Sequence, residues 1–360
     1  MTRRCFQLAA ATSVAAAAEP RLKVALLTHA DGPHLNAYLP ALAAIPEVGS
    51  VVLSDPSNSV EPAARKALGS KLTGAYRSAS ELLRLEKPEL ALVTMEAAIA
   101  PPAIHAALKA GCHVLAEKPA CVSAADFDAL AVLAKNVNRQ FVLALANRVD
   151  PLAIESRRLI REGLTGRIYG VEIHIVADQT RLTRPAYHKT WFAQKDRAGG
   201  GHLIWLGIHW LDLAVFLTGS RVKEVAGFIA NAGGQPINVE DSATAALRFD
   251  NGSLGTLTSG YYVDKGYHSQ IKIWGADGWL ELRRHGSPSP LEWYSNKEGK
   301  VRRYEGPQEP SGYEPFVRHV VRAAAGIEQP VLNTGDCRHA IHTVFATYRA
   351  AATGQTQKVG

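Results

Sequence analysis

Two short segments of this 360-residue chain carry the side chains best suited to chemistry. Glu117-Lys118-Pro119 closes an apolar run. Further on, three glycines at 199–201 lead into His202-Leu203-Ile204-Trp205-Leu206-Gly207-Ile208-His209-Trp210-Leu211-Asp212. A lysine at the end of a strand, partly withdrawn from water, can hydrogen-bond a reacting hydroxyl and assist its proton transfer. His209 opens an apolar helical run, and Asp212, three residues on, shares its face. A histidine facing a cleft from the start of a helix suits the role of general base for an alcohol. Lys118 and His209 are therefore the candidate catalytic pair, with Asp212 orienting neighbouring groups. The glycines imply a backbone shaped closely around something. Trp205 breaks the pattern, because an indole neither titrates nor accepts a proton. It can offer an apolar face to a sugar ring. Arg148 and the polar-aromatic run Tyr187-His188-Lys189-Thr190-Trp191 add the stacking and hydrogen-bonding groups a carbohydrate needs. No group of residues has metal-ligand spacing.

These residues need a scaffold, and the hydrophobic pattern supplies one. Strand signals at 24–28, 51–54, 90–94, 113–116 and 141–145 alternate with helix signals at 35–44, 80–86, 102–110 and from Ser123 to about 136. Alternation of this kind means parallel pairing with right-handed crossovers, hence a doubly wound sheet. Ligands bind such sheets beyond the carboxyl ends of the strands. After a helix at 152–162 the texture changes to strand runs at 168–176, 222–229, 243–249, 254–258, 270–274 and 279–282, with a hairpin turn at Asp250-Asn251-Gly252. Few helices interrupt them, so this half should be α+β with a large, mostly antiparallel sheet. A helix at 206–217 belongs to it, and helices at 315–325 and 338–351 close the chain.

A dinucleotide would lie across the carboxyl edge of the first sheet. The loop after the first strand reads Thr28-His29-Ala30-Asp31-Gly32-Pro33-His34, which keeps only Gly32 of a glycine-rich fingerprint. The following helix can still attract a phosphate through its amino end, although Asp31 opposes it. The loop is either a reduced dinucleotide site or a repurposed one. Asp55 closes the second strand, where an acid can hold the adenosine ribose and disfavour a 2′-phosphate. Thr28, Gly32, Asp55, Thr94, Glu117, Lys118 and Asn147 are the candidate cofactor contacts. The expected cofactor is NAD, with NADP less favoured.

With these residues assembled, the chain resembles the Gfo/Idh/MocA family of glucose–fructose oxidoreductase and inositol dehydrogenase. The resemblance spans nearly all of residues 21–359. It rests on Ala110-Gly111-Cys112-His113-Val114-Leu115-Ala116-Glu117-Lys118-Pro119, on Asn147-Arg148, on the segment 199–212, and on Val239-Glu240-Asp241 ahead of the strand ending Asp250-Asn251-Gly252-Ser253. It implies an N-terminal Rossmann domain that binds NAD or NADP. It also implies a C-terminal domain whose open sheet often mediates dimers or tetramers. It assigns catalysis to the Glu-Lys-Pro lysine, here Lys118, and to the histidine of the glycine-rich segment, here His209. The family's aspartate four residues before that histidine falls on Trp205.

Composition bounds the rest. The length fits two domains, expected at 19–147 and 148–360. Forty basic against 33 acidic residues, with no basic block, point away from nucleic acid. The apolar runs look too short for a membrane span. Arg3-Arg4 before a short Ala-rich segment ending Ala16-Ala17-Ala18 read as an export signal over 1–18, of the twin-arginine type. Periplasmic or secreted location follows. Cys112, Cys121 and Cys337 read as buried small hydrophobes. The expectation is an exported nicotinamide-dependent oxidoreductase acting on a sugar, sugar derivative or cyclitol as a homo-oligomer. A redox-neutral glycosidase or lyase with retained NAD, and a non-catalytic sugar-binding protein, are the alternatives.

Overall fold

The computed structural model describes residues 20–285, 287 and 289–360. The expected export segment lies outside them. The first half alternates strands and helices: β1 (Leu22–Thr28), α1 (Leu35–Ala44), β2 (Val48–Ser54), α2 (Glu61–Leu68), β3 (Leu72–Tyr76), α3 (Ala79–Glu86), β4 (Leu90–Thr94), α4 (Ala100–Lys109), β5 (His113–Ala116), α5 (Ala124–Asn136) and β6 (Phe141–Leu143). All six strands are parallel, in the order β3-β2-β1-β4-β5-β6. This is the doubly wound Rossmann arrangement, with its switch point between β1 and β4. β4 is buried along its whole length, as a strand covered on both faces by helices must be. Ser123 caps α5 by accepting the Asp126 amide at 3.1 Å.

The second half contains α6 (Pro151–Arg161), β7 (Ile168–Asp178), two single helical turns α7 (Pro185–His188) and α8 (Lys195–Ala198), α9 (Ile208–Thr218), β8 (Val222–Ala230), β9 (Ser242–Phe249), β10 (Leu254–Val263), β11 (Tyr267–Gly275), β12 (Gly278–His285), β13 (Leu291–Ser295), β14 (Lys300–Arg303), α10 (Tyr313–Ala324), α11 (Thr334–Thr353) and β15 (Gln357–Lys358). Nine strands join in the order β14-β13-β12-β11-β7-β10-β9-β8-β15. Only β7 and β10 pair in parallel. Helices α6, α9 and α11 cover one face. The other is open and carries Phe228, Tyr262 and Trp274 among threonines and charged residues. The β9–β10 turn forms at Asp250-Asn251-Gly252, where Gly252 takes the left-handed φ of 87°.

The helical run Lys195–Thr218 is long and apolar enough to cross a membrane by length and composition, contrary to the reading of the sequence. Of its most apolar 18-residue window 83% is buried inside the protein, as in a core segment. Cys112, Cys121 and Cys337 are free and buried.

Two features depart from a simple division at residue 147. Helices α10 and α11 come late in the chain yet pack on the first domain. Arg318 and Arg322 of α10 reach the buried Glu47 carboxylate at 3.0 and 2.5 Å. Arg338 and His342 of α11 reach Asp128 on α5 at 2.7 and 2.8 Å. The second feature is a buried ionic node at the junction. Arg148 makes a two-pronged pair with Asp212 of α9, at 2.6 and 2.9 Å, and a third bond to Asp336 at the start of α11. Arg148 and Asp212 were expected at the substrate. They are instead spent on each other, with side chains only 5% and 2% exposed. Removing one member would leave the other's charge buried and uncompensated, so the pair locks α9 to the end of the Rossmann sheet.

Candidate active site

The glycine segment shapes the site. Gly199 adopts a φ of 82°, which a side chain would resist. A Cβ on Gly200 would stand 2.1 Å from the Tyr348 hydroxyl, and one on Gly201 only 1.8 Å from the Glu240 carbonyl oxygen. That close approach lets the Glu240 carboxylate accept the amides of Gly201 and Leu203 at 2.7 and 3.0 Å and the Tyr348 hydroxyl at 2.8 Å. The amino end of the helical run is thereby held from below. Its first turn is a widened π-turn, Leu203–Gly207, before α9 begins. Such turns commonly mark functional sites, because the extra residue re-aims the side chains around it. Here it carries Trp205, and His209 follows in the first turn of α9.

Lys118 leaves the end of β5 and meets this turn. Its ammonium donates to the Trp205 carbonyl at 2.8 Å and lies 4.3 Å from the centre of the same residue's ring. Burial is the largest influence on it and lowers its pKa to about 8. The Glu117 carboxylate pulls the other way, and the Arg181 charge adds repulsion. His209 is enclosed and its Nδ1 has no partner. Burial first, then the charge of Lys118, hold its pKa well below the ordinary histidine range, so the imidazole is neutral at neutral pH. The site thus pairs a neutral base with a cation on the edge of titration.

Two connected cavities open here. The larger, about 600 Å³, is lined by Asp31, Gly32, Pro33 and His34 on the cofactor side and by Arg181, Tyr187, Lys189, Trp191, Phe192 and Tyr261 on the other, with Lys118 and Trp205 between. The smaller, about 280 Å³, holds His209, Asn147, Arg284 and Tyr313, and shares Lys118 and His34. Lys118, His209, Trp205, Tyr187, Trp191, Gly32 and Asn147 are therefore brought together as the sequence suggests. Asn147 accepts a hydrogen bond from Arg284 through its carbonyl, leaving its amide group for a ligand.

Other candidates are placed differently. Trp205 does not offer an open face. One side of its ring meets the Lys118 ammonium, and its edges pack on Trp191 and Phe192 at centroid distances of 5.1 and 4.9 Å. Its side chain serves chiefly to hold Lys118, and it lines the cavity with what remains. His188 turns its ring to the Leu182 carbonyl, outside the cavity wall. Glu117 is buried beneath the site, where it accepts from Tyr38 at 2.5 Å and lies 2.9 Å from His34 Nδ1. It positions His34, which also meets Tyr313 of α10 at 3.1 Å.

The dinucleotide loop is tied by its own side chains. Thr28 donates to the Thr94 carbonyl at 2.9 Å, and Thr94 donates to the Pro33 carbonyl. Both threonines are fully buried, so they shape the loop and do not contact a ligand through their hydroxyls. A Cβ on Gly32 would fall 2.2 Å from the Thr28 hydroxyl, which explains why this glycine survives. No side chain caps α1. The Leu35 and Asn36 amides are therefore left to meet a diphosphate, while Ala37 donates to the His34 carbonyl at 2.8 Å. Lys118, His209 and Asn147 line the neighbouring cavity and would flank a nicotinamide there. Asp55 does not reach outward. Its carboxylate accepts from the Ser57 amide and hydroxyl at 2.9 and 2.6 Å and from the Val60 amide at 2.9 Å. Burial would raise its pKa, but these hydrogen bonds outweigh burial and keep it ionised.

Comparison with known proteins agrees with this geometry. Residues 33–145 match the profile of the oxidoreductase family with an NAD-binding Rossmann fold, and residues 154–281 match that of the GFO/IDH/MocA C-terminal domain. The chain belongs to the Gfo/Idh/MocA family. It is an NAD(P)-dependent oxidoreductase of that family. It is 25% identical to a 1,5-anhydro-D-fructose reductase of Ensifer adhaerens, over 88% of this chain and 94% of that one. It is 26% identical to a myo-inositol dehydrogenase of Streptomyces leeuwenhoekii, over 82% and 88%. Among solved structures, a levoglucosan dehydrogenase in complex with NADH and L-sorbose superposes with a TM-score of 0.82 at 19% identity, covering 95% of this chain and 99% of that one. An oxidoreductase domain protein of Kribbella flavida gives 0.84 at 23%, covering 95% and 100%.

Sequence reasoning missed Glu240 as the support of the helix, His34, and Arg181. Glu240 stood in the resembling segment, but nothing in its spacing revealed what it caps. His34 and Arg181 are single polar residues in loops, which no periodicity singles out.

Because Trp205 encloses Lys118, Trp205→Ala is expected to cost about 3–5 kcal/mol of stability. It should also let water reach the ammonium, relieving the desolvation that depresses its pKa. Thermal melting reads the first effect. A shift of the alkaline limb of the pH–rate profile from near 8 towards higher pH reads the second. An unmoved limb would show that Trp205 does not control Lys118.

Proposed function

We propose that the protein oxidises, or in reverse forms, a secondary hydroxyl of a sugar, sugar derivative or cyclitol, with NAD as the cofactor. The observation that carries this reading is the pairing of neutral His209 with the Lys118 ammonium beside a cavity walled by aromatic rings. The nicotinamide, when bound, supplies the acceptor for a hydride. The chain's own residues do the rest. His209, neutral and lining the cavity beside Lys118, is available to take the hydroxyl proton. Lys118 lends positive charge to the oxygen as it becomes an alkoxide, in a site from which water is largely excluded. Trp205 fixes the lysine through both its carbonyl and its ring. Tyr187 offers its hydroxyl to the sugar, while Trp191, expected from the sequence at the substrate, is 2% exposed and stacked on Phe192, and so backs the wall. NAD is preferred here over NADP because ionised Asp55, its carboxylate held by Ser57 and Val60, places a negative charge at the end of β2 that would oppose a 2′-phosphate. Sugar and cyclitol specificities among the relatives support the substrate class.

On this reading kcat/KM for alcohol oxidation falls above pH about 8, as Lys118 loses its proton. Lys118→Arg, whose charge persists, should remove that limb while lowering the rate. His209→Ala should lower kcat by about 10²–10⁴ and leave NAD affinity within a few-fold. Steady-state profiles with NAD and a sugar panel check all three. A limb that persists in Lys118→Arg would assign it to another group.

The proposal includes export. Arg3-Arg4 and the Ala16–18 site support passage by the twin-arginine route, which carries folded proteins. That suits an enzyme which must load its cofactor inside the cell and retain it. Replacing both arginines by lysine should leave precursor in the cytoplasm, and unchanged secretion would rule the route out. The open face of the nine-stranded sheet supports a homo-oligomer, a dimer or tetramer. The mass of the purified protein by light scattering decides it.

A further inference from the structure

The cavity is charged unevenly. Its only lining carboxylate is Asp31, on the cofactor loop. The substrate wall carries Arg181 and Lys189, both exposed to the cavity, and Lys118 stands between the two sides. Neither Arg181 nor Lys189 makes a side-chain ion pair or hydrogen bond with any described residue. The nearest acid in sequence to Arg181, Asp178, attracts it through space without bonding to it, its carboxylate accepting the Thr180 amide at 2.7 Å.

Arg181 is held in place without being neutralised. It follows β7 and lies 5.5 Å from the ring centre of Tyr261, on β10, with Tyr187 on the same wall. Tyr261 is in turn fixed by the buried His202, whose ring meets it edge-on at 4.4 Å. His202 itself is anchored by Ser259 at 2.7 Å. A guanidinium set on an aromatic wall, its donors unspent, is pre-organised for a planar or tetrahedral anion. It also repels Lys118 across the cavity, and an anionic ligand set between them relieves that repulsion. A cofactor diphosphate does not meet this need. It belongs at the amino end of α1, on the opposite wall.

We infer that the sugar taken by this enzyme carries an anionic substituent, a carboxylate or a phosphate, which Arg181 binds on the wall formed with Tyr187 and Tyr261. Lys189, at the cavity rim, attracts the anion and makes no fixed contact. The inference rests on the sugar-oxidoreductase reading and narrows its substrate class. Arg181 is a specificity residue and takes no part in hydride or proton transfer.

The test uses the full protein saturated with NAD. Binding is followed by tryptophan fluorescence, since Trp191 and Trp205 line the cavity. D-Glucuronate is compared with D-glucuronamide, which has nearly the same shape without the charge, and D-glucose 6-phosphate with D-glucose. A charged hydrogen bond predicts at least about tenfold tighter binding for the anion of one pair. Which pair shows it distinguishes carboxylate from phosphate. Arg181→Gln should bring that ratio close to one, and Arg181→Glu should reverse it. The residue is open to the cavity, so melting temperatures should stay near the parent's and confirm that the variants fold. Equal binding within both pairs, or a preference that survives Arg181→Glu, overturns the inference while leaving a sugar enzyme in place. Failure of all four sugars to bind overturns the sugar reading and this inference together.

Discussion

The site depends on one buried carboxylate. Glu240 receives two backbone amides and a tyrosine hydroxyl at the point where the glycine segment becomes a helix. Carboxylates are seldom so enclosed, and this one is tolerated because hydrogen bonds replace the water it lost. Its geometry demands glycine at 201, since any side chain there would strike the Glu240 carbonyl. From that anchor the π-turn presents Trp205 to Lys118, α9 presents His209, and Asp212 of the same helix locks to Arg148. Three side chains of different chemistry, Trp205, His209 and Asp212, thus inherit their positions from a single acid.

The tryptophan at 205 changes how the lysine is governed. Where the family pattern carries an aspartate, an ionised acid would hold the ammonium charged. Here the ammonium is offered a carbonyl dipole and the face of an indole, both weaker partners than a carboxylate. Burial then prevails, and Lys118 titrates near the pH at which the enzyme would work. The loss of one acid also leaves the cavity more positive. The substitution at 205 and the unpaired Arg181 are therefore two parts of one electrostatic state.

Much of this was legible in the chain. The mainly apolar strands at 90–94 and 113–116 fall where the pattern put them, because burial on both sides leaves a nearly continuous signal, and the helix at 35–44 does so through its apolar face. Ser123 and the Asp250-Asn251-Gly252 turn act through local chemistry, which sequence shows directly. Helix α2 and strand β3 were not read. β3 is an edge strand, Leu-Thr-Gly-Ala-Tyr, buried only at Leu72, so it has neither a full run nor an alternation. Lys118 and His209 were found because motif and position agree. Asp55, Arg148, Asp212 and Glu117 were misjudged for a common reason. A charged side chain at the end of a strand or on a helix can turn to a ligand or to its own neighbours, and composition is the same in both cases. Only the paths of the loop 55–60 and of α11 decide it.

The late helices carry a consequence for how the molecule comes into being. Glu47 lies 1% exposed between β1 and β2, and the cations that balance it, Arg318 and Arg322, are synthesised more than two hundred residues later. Tyr313, which meets His34 beside the cofactor loop, also arrives late. While the chain is still emerging, the nucleotide half therefore has a negative charge with no partner and a loop without its outer wall. Until α10 packs, the Glu47 carboxylate and His34 lack the contacts that complete this half. A chain cut short before α10 would therefore lack Tyr313, one of the walls of the cavity that holds Lys118 and His209.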